Sequence, residues 1–238
     1  QGGLTSATIM PRMPCTARAV EFARSNPRFG FGVHLTYVCE GDATPERPVL
    51  APDQVRSLVR SDGRFLPSNE TRKLALRGRL DVDQIASETE AQIRLLLDAG
   101  VAVTHVDSHG HLHKFGPFRE ALRRVLPRFG ITRVRGVQDV YLRRPLKSFT
   151  YWFGPVWRRR IRAAFSTADA FYMPSSAGDM DWPGPLLKRL EALGVNTVEV
   201  GVHPGAAETW RQREFEGAVS LGELARRAGH ELVTYRDV

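Results

Sequence analysis

The chain has 238 residues, 42% of them hydrophobic and 25% charged, enough apolar surface for one large domain or two small ones, which excludes a disordered or fibrous protein. No run approaches the roughly 18 consecutive apolar residues that a membrane-spanning helix needs. The formal net charge is +8, and of 34 basic residues only Lys73, Lys114, Lys147 and Lys188 are lysines; such a field favours anionic partners but says nothing about chemistry.

Cys15 and Cys39 are too few for a disulfide framework and form no Cys-x-x-Cys pair, so a reducing, cytoplasmic compartment is the default expectation. The chain opens on Gln1-Gly2-Gly3-Leu4 with no initiator methionine, charged n-region or apolar signal segment.

Short β-rich runs alternate with longer amphipathic stretches, as when parallel strands are joined by crossover helices. Residues 4–10 read as a strand, 16–25 as a helix and 29–36 as a second strand. A helix over 53–60 follows a proline, and the helix over 81–99 carries Ile85, Ile93 and Leu96 before stopping at Gly100. Strand 101–108 leads to a helix over 117–129 with proline in its first turn and Gly130 just beyond it. Strand 132–136, strand 168–173, helix 183–193, strand 197–203, helix 220–228 and strand 231–235 complete the pattern. Most of these strands are apolar on both faces, as buried parallel strands are.

Seven strands are one short of the eight that close a β/α barrel, so the expected fold class is α/β, a TIM-like barrel lacking its first strand and helix. A single domain over 1–238 is expected. Residues 40–79, with Pro45, Pro48, Pro52 and Pro67, are long for a connection between barrel strands and read as an insertion over the barrel mouth.

The strongest chemical signal is the run from Thr104 to His113, which holds His105, Asp107, His109, His111 and His113. In extended backbone alternate residues share a face, so His105, Asp107 and His109 are expected to point together into a pocket, with His111 or His113 turned over it. Imidazoles suit a zinc-like divalent ion, and a nearby carboxylate ligates it or orients a ligand histidine. His34, in Gly32-Val33-His34-Leu35-Thr36, and His203, in Val202-His203-Pro204-Gly205, each lie where a predicted strand gives way to a loop. In a β/α barrel those strand ends build the active site, so His34, His109 and His203 are expected to converge. Alone, His34 would read as a core histidine. No Gly-x-Gly-x-x-Gly after a strand, P-loop or Gly-x-Ser-x-Gly element is present.

The Asp-Ser-His-x-His-x-His core of residues 104–113, the Gly-x-His-Leu element at His34, the run 57–65 and His203-Pro204-Gly205 together resemble the YdjC-like carbohydrate deacetylase family. Within it, the hopanoid-associated and diacetylchitobiose-deacetylase-like members are the nearest in pattern. The resemblance covers nearly the whole chain and implies a β/α barrel holding one divalent metal through an aspartate and two histidines, which by motif position are His34 and His109. Zinc is favoured by the histidines, with magnesium the alternative. The family's early Asp-Asp-Phe-Gly element is absent here, so the chain is expected to be N-terminally incomplete by one strand and one helix, on the order of 25 residues.

The implied chemistry is hydrolysis of the N-acetyl amide of an N-acetylated sugar or glycoconjugate by metal-activated water, with His203 the candidate general acid for the departing amine. Asp107 either orients a ligand histidine or ligates metal itself. His111 and His113 are expected to face the pocket and bond the sugar, and Arg135 holds a carboxylate, orients a base or is solvated.

Residues 141–165 interleave seven basic side chains with Phe149, Tyr151, Trp152, Phe153 and Trp157. The preferred reading is a barrel helix with a solvated basic face and an aromatic lid over the sugar site. Contact with an anionic membrane surface, or a lipid-linked sugar, is the alternative; nucleic acid is not the expected partner. A homo-oligomer is compatible with the sequence. The competing functional reading is a catalytically inactive barrel that binds an anionic partner through this basic aromatic segment, which metal content and salt sensitivity separate from the enzyme.

Overall fold

The computed structural model describes residues 3–41, 46–174 and 181–238. The expectations resting on Gln1 and Pro45 lie outside them. Strands and helices alternate along the chain and gather into two compact units, one of residues 6–135 and 163–165, the other of residues 1–5, 136–162 and 166–238. No helix among the described residues is long and apolar enough to cross a membrane.

In the first unit β1 (Ser6–Ile9), β2 (Gly30–Leu35) and β3 (Val103–Ser108) form a parallel sheet in that order. Its strands are crossed by α1 (Thr16–Ser25) and α3 (Val82–Asp98), with α2 (Ser68–Leu76) between β2 and α3 and α4 (Gly116–Val125) after β3. Val33, Leu35 and Val106 are fully buried, as parallel strands covered on both faces require. The Asp81 carboxylate caps α3 by accepting the Asp83 and Gln84 amides.

The buried face of α3, which packs on α4 and β2, is partly polar, and each polar group on it has a partner. Glu88 accepts the backbone N–H groups of Val49 and Leu50 at 2.8 and 3.0 Å. Gln92 spans both backbone groups of Thr36, donating to its carbonyl and accepting from its amide, and the Tyr37 hydroxyl meets Thr89 Oγ1 at 2.6 Å. These bonds tie the chain after β2 to α3, since an unpaired buried polar group would cost about 1–3 kcal/mol.

The second unit pairs β4 (Ala170–Tyr172) with β5 (Val198–Val200) in parallel. It also holds α5 (Phe149–Arg162), α6 (Pro183–Leu193) and α7 (Thr209–Arg227). Val140, Ala170, Tyr172, Trp182 and Leu186 form its apolar centre.

Several predicted elements take other forms. The expected helix over 53–60 is a 3-10 turn at Pro52–Gln54 followed by a small hairpin, in which Val59 pairs antiparallel with Phe65 across Asp62-Gly63. An Asp-Gly turn that reverses the chain takes the backbone groups a helix would need. Residues 132–136 make only a parallel bridge, Val106 to Val134. Residues 231–235 form no strand, because Thr234 and Asp237 cap a 3-10 turn at Tyr235–Asp237. The helix expected at 220 begins at Thr209; its buried face is Glu214, Gly217, Ala218, Gly222 and Ala225, too small and polar to display an apolar period.

One glycine of β2 is fixed by close approach. A Cβ on Gly32 would lie 2.6 Å from the His105 carbonyl oxygen and 2.8 Å from its imidazole Cε1, so the bare backbone makes room for the buried His105 ring. We expect Gly32→Ala to destabilise the protein by about 1–3 kcal/mol through overpacking against backbone, read from urea unfolding; an unchanged midpoint would refute the contact.

Burial pushes the His105 imidazole down to about 4, against opposing attraction from Asp107. The unfolded chain takes up this proton first as pH falls, so stability present above about pH 6.5 is lost towards about pH 4, on the order of 2–3 kcal/mol. The slope should flatten in His105→Gln, measured by urea unfolding across that window. Parallel curves for the two proteins would show that another group titrates.

Candidate functional site

His34 and Asp107 are brought together by register. They are directly opposed across the β2–β3 ladder, so their side chains leave the same face of the sheet. His34 Nδ1 lies 2.7 Å from Asp107 Oδ1. The bridge at Val134 sets Arg135 beside the same strand, where its guanidinium pairs with Asp107 Oδ2. From β1 the Thr8 hydroxyl donates to Oδ2 at 3.3 Å. Burial alone would raise the Asp107 carboxyl, but Arg135 and His34 outweigh it and hold the group well below the usual carboxylate range. An ionised carboxylate only accepts, so His34 donates from Nδ1, and in the neutral ring Nε2 is the lone-pair nitrogen, turned outward.

That lone pair faces His109. His34 Nε2 and His109 Nδ1 are 3.4 Å apart, with the rings edge to face at 5.5 Å between centroids. The separation is long for a hydrogen bond, yet it is about the distance between two nitrogens bound at 2.0–2.1 Å to one tetrahedral ion. His34 and His109 therefore fit as two imidazole ligands, with Asp107 in the supporting position that orients a ligand histidine. Among the described residues no three His, Cys, Asp or Glu side chains gather closely enough to cage an ion by themselves.

The four histidines of the 104–113 run separate into different surroundings. His105 is buried beside Gly32, its Nδ1 2.8 Å from Thr104 Oγ1. His109 begins a 3-10 segment just past β3 and is partly exposed. Gly110 and His111 follow with φ of 63° and 54°, a left-handed pair that turns the chain sharply; for His111 this conformation is strained, on the order of 1 kcal/mol. Burial pushes the half-buried His111 imidazole well below its ordinary value, with His113 adding to the effect. His113, expected to face a pocket, is buried, its Nδ1 2.8 Å from Ser108 Oγ and its backbone N–H on the same oxygen. The Ser108 hydroxyl already occupies the ring and holds it inside the turn. The partly solvated reading of Arg135 likewise gives way to a largely buried ion pair.

His203 belongs to the second unit. It follows β5, its Nδ1 is 3.6 Å from Glu214 Oε2 on α7, and its backbone N–H donates to the same carboxylate.

Two participants carry no sequence signal. Thr8 reads there only as a strand former, and Glu40 as the start of an insertion; in the structure Glu40 Oε1 lies 3.9 Å from His109 Nε2. Glu40 also lines a cavity of about 600 Å³ together with Arg60, Ser68, Asn69 and Arg72, a volume typical of small-ligand pockets. Arg72 reaches the Gly110 carbonyl at 3.1 Å, which joins this wall to the turn after His109. Among the described residues, Ser68 Oγ and Arg72 Nε are buried without a hydrogen-bond partner. The guanidinium groups of Arg60 and Arg72 on its wall are donors of a kind suited to a hydroxylated ligand.

The chain is similar to several curated carbohydrate deacetylases. It is 27% identical over 250 residues to that of Geobacillus stearothermophilus, covering 99% of this chain and 87% of the relative, and 33% identical over 230 residues to that of Vibrio vulnificus strain YJ016, covering 92% and 77%. A match to the enzyme of Halalkalibacterium halodurans, 29% identical over 130 residues, spans 55% of this chain and 51% of the relative, about half its length. The fold is similar to a crystal structure from Enterococcus faecalis V583 described as a cellobiose-phosphate cleavage protein, with a TM-score of 0.74 at 21% identity over 99% of this chain and 88% of that one. The profile of the YdjC-like protein family matches residues 1–233, and the chain belongs to that family.

Proposed function

We propose that this protein is a metal-dependent hydrolase that removes the acetyl group from an N-acetylated sugar or glycoconjugate. The observation that carries the reading is the pair of imidazole nitrogens 3.4 Å apart, one of them backed by the buried Asp107. The polar cavity beside His109 supports a carbohydrate ligand, and the names of the relatives support the reaction class.

His34 and His109 would hold one divalent ion, zinc being favoured by imidazole ligands and magnesium the alternative. When bound, such an ion supplies Lewis-acid activation of water and of the acetyl carbonyl. The protein's own contribution is orientation and charge. Asp107 keeps the His34 ring in one tautomer, and Arg135 keeps Asp107 ionised while the sheet buries it. Arg60 and Arg72, on the wall of the cavity that Glu40 joins to His109, would donate to sugar hydroxyls. Expulsion of the sugar amine requires a proton on its nitrogen, and His203 is assigned that step from its place after a strand end in the His-Pro-Gly turn. The Glu214 carboxylate lies beside its ring, 3.6 Å from Nδ1.

His34→Ala and His109→Ala should each lose the bound divalent ion in elemental analysis and abolish acetate release from N-acetylglucosamine oligomers. Asp107→Asn keeps both imidazoles and should lower metal affinity or activity by about 10–100-fold. Full metal content and full turnover in both histidine variants would overturn the assignment.

A further inference from the structure

The basic aromatic segment presents an exposed apolar face. Leu146, Phe149, Trp152, Phe153 and Val156 are 59, 48, 63, 46 and 47% exposed. At about 100° per residue, positions 149, 152, 153 and 156 fall within an arc of about 100° on α5. Leu146 joins them because the Trp152 indole N–H donates to its carbonyl at 2.9 Å. The core-facing side of α5 is a different one, made by Gly154, Trp157 and Ile161. α5 therefore carries apolar residues on two faces, one turned to the core and one exposed.

Charge identifies what the other face meets. From Tyr141 to Ser166 the chain has seven basic side chains and no acidic one. Arg158 and Arg162 are drawn to Asp139, at 2.8 and 3.9 Å. Arg143, Arg144 and Lys147 precede the apolar arc, and Arg159 and Arg160 follow it. A helix of 14 residues is about 21 Å long, too short to cross a bilayer, but an apolar arc bracketed by cations is the pattern of a helix lying in the interface of an anionic membrane.

We propose that the α5 face docks on the surface of a bilayer containing anionic lipid, with the aromatic and aliphatic side chains entering the headgroup boundary and the flanking arginines on lipid phosphates. A second copy of the chain is disfavoured as occupant, because face-to-face contact would oppose two sets of cations. Nucleic acid is disfavoured because Leu146 and Val156 offer no stacking plane and Phe149 and Phe153 already stack on each other at 4.3 Å. The inference is independent of the deacetylase reading.

The test is co-sedimentation of the full protein with vesicles of phosphatidylcholine alone and with about one third phosphatidylglycerol. Binding should be at least about tenfold stronger to the anionic vesicles and should fall as salt is raised. Trp152→Ser combined with Phe153→Ser should weaken it about tenfold or more with the thermal transition unchanged, because both side chains are exposed. Replacing Arg143, Arg144 and Lys147 by glutamine should remove much of the salt dependence. Absence of vesicle binding, equal binding to both vesicle types, or a solution dimer split by the aromatic double variant would overturn the proposal. So would polyuridylate binding that the double variant abolishes while vesicle binding stays unaltered.

Discussion

A carboxylate with no exposure to solvent is the constraint on which the rest of the candidate site depends. Asp107 is held ionised inside the sheet chiefly by Arg135 and His34, and three neighbouring segments each bring it a donor: Thr8 from β1, His34 from β2 and Arg135 from the bridge beyond β3. A buried charge with fewer partners would either neutralise or destabilise the fold by several kcal/mol. The partners are not interchangeable. Arg135 supplies full positive charge and holds the proton off Asp107; His34 gains from the arrangement a fixed tautomer and a fixed ring plane. Ordering four backbone segments around one carboxylate thus has a local product, a single imidazole lone pair aimed at His109.

The second half of the pair is placed by backbone rather than by a salt bridge. β3 ends at Ser108, and the left-handed turn at Gly110 and His111 takes the chain away at once, leaving His109 at the sheet edge and partly exposed. Ser108 then secures the turn from below through His113. The density of histidine in this run does not therefore mean four ligands. One ring faces His34, while His105 and His113 are spent on filling and bonding the interior around it. Buried imidazoles of that kind are stable structural pieces because each finds a hydroxyl within reach.

What could be read in the sequence follows from how local the determining interaction is. The helices with a proline or capping residue at the start and a glycine at the end, such as Asp81 to Gly100, are marked by residues only a few positions from the feature itself. The expected sharing of one strand face by His105, Asp107 and His109 rests on alternation, a local rule that was equally legible. The partner of Asp107 was not. Arg135 looks in sequence like any arginine near a strand end, and only the parallel bridge of Val134 to Val106 decides that it is buried and paired. Glu40 and Ser68 escaped for the same reason, because a cavity wall is made by residues distant in sequence. The helix imagined over 53–60 failed on a local rule after all: Asp62-Gly63 was visible and announces a reversal. The early start of α7 was hidden in a buried face of small residues around Glu214, where no apolar period exists to be seen.

The charge of the molecule also resolves into two different physical situations. Around the candidate site, cations are neutralised or occupied at short range, Arg135 by Asp107 and Arg72 by the Gly110 carbonyl, so their effect is confined to orientation and to the protonation state of one carboxylate. Between Tyr141 and Ser166 the basic residues stand without acidic neighbours in sequence, and most of the exposed ones lie on the ends of an apolar arc. Exposed charges of one sign add over roughly a Debye length of 8–10 Å at moderate salt, whereas paired ones cancel within a bond length or two. The formal +8 is for this reason a property of one segment's surface more than of the candidate site, and substitutions that change the field at long range need not touch the His34–Asp107–Arg135 arrangement.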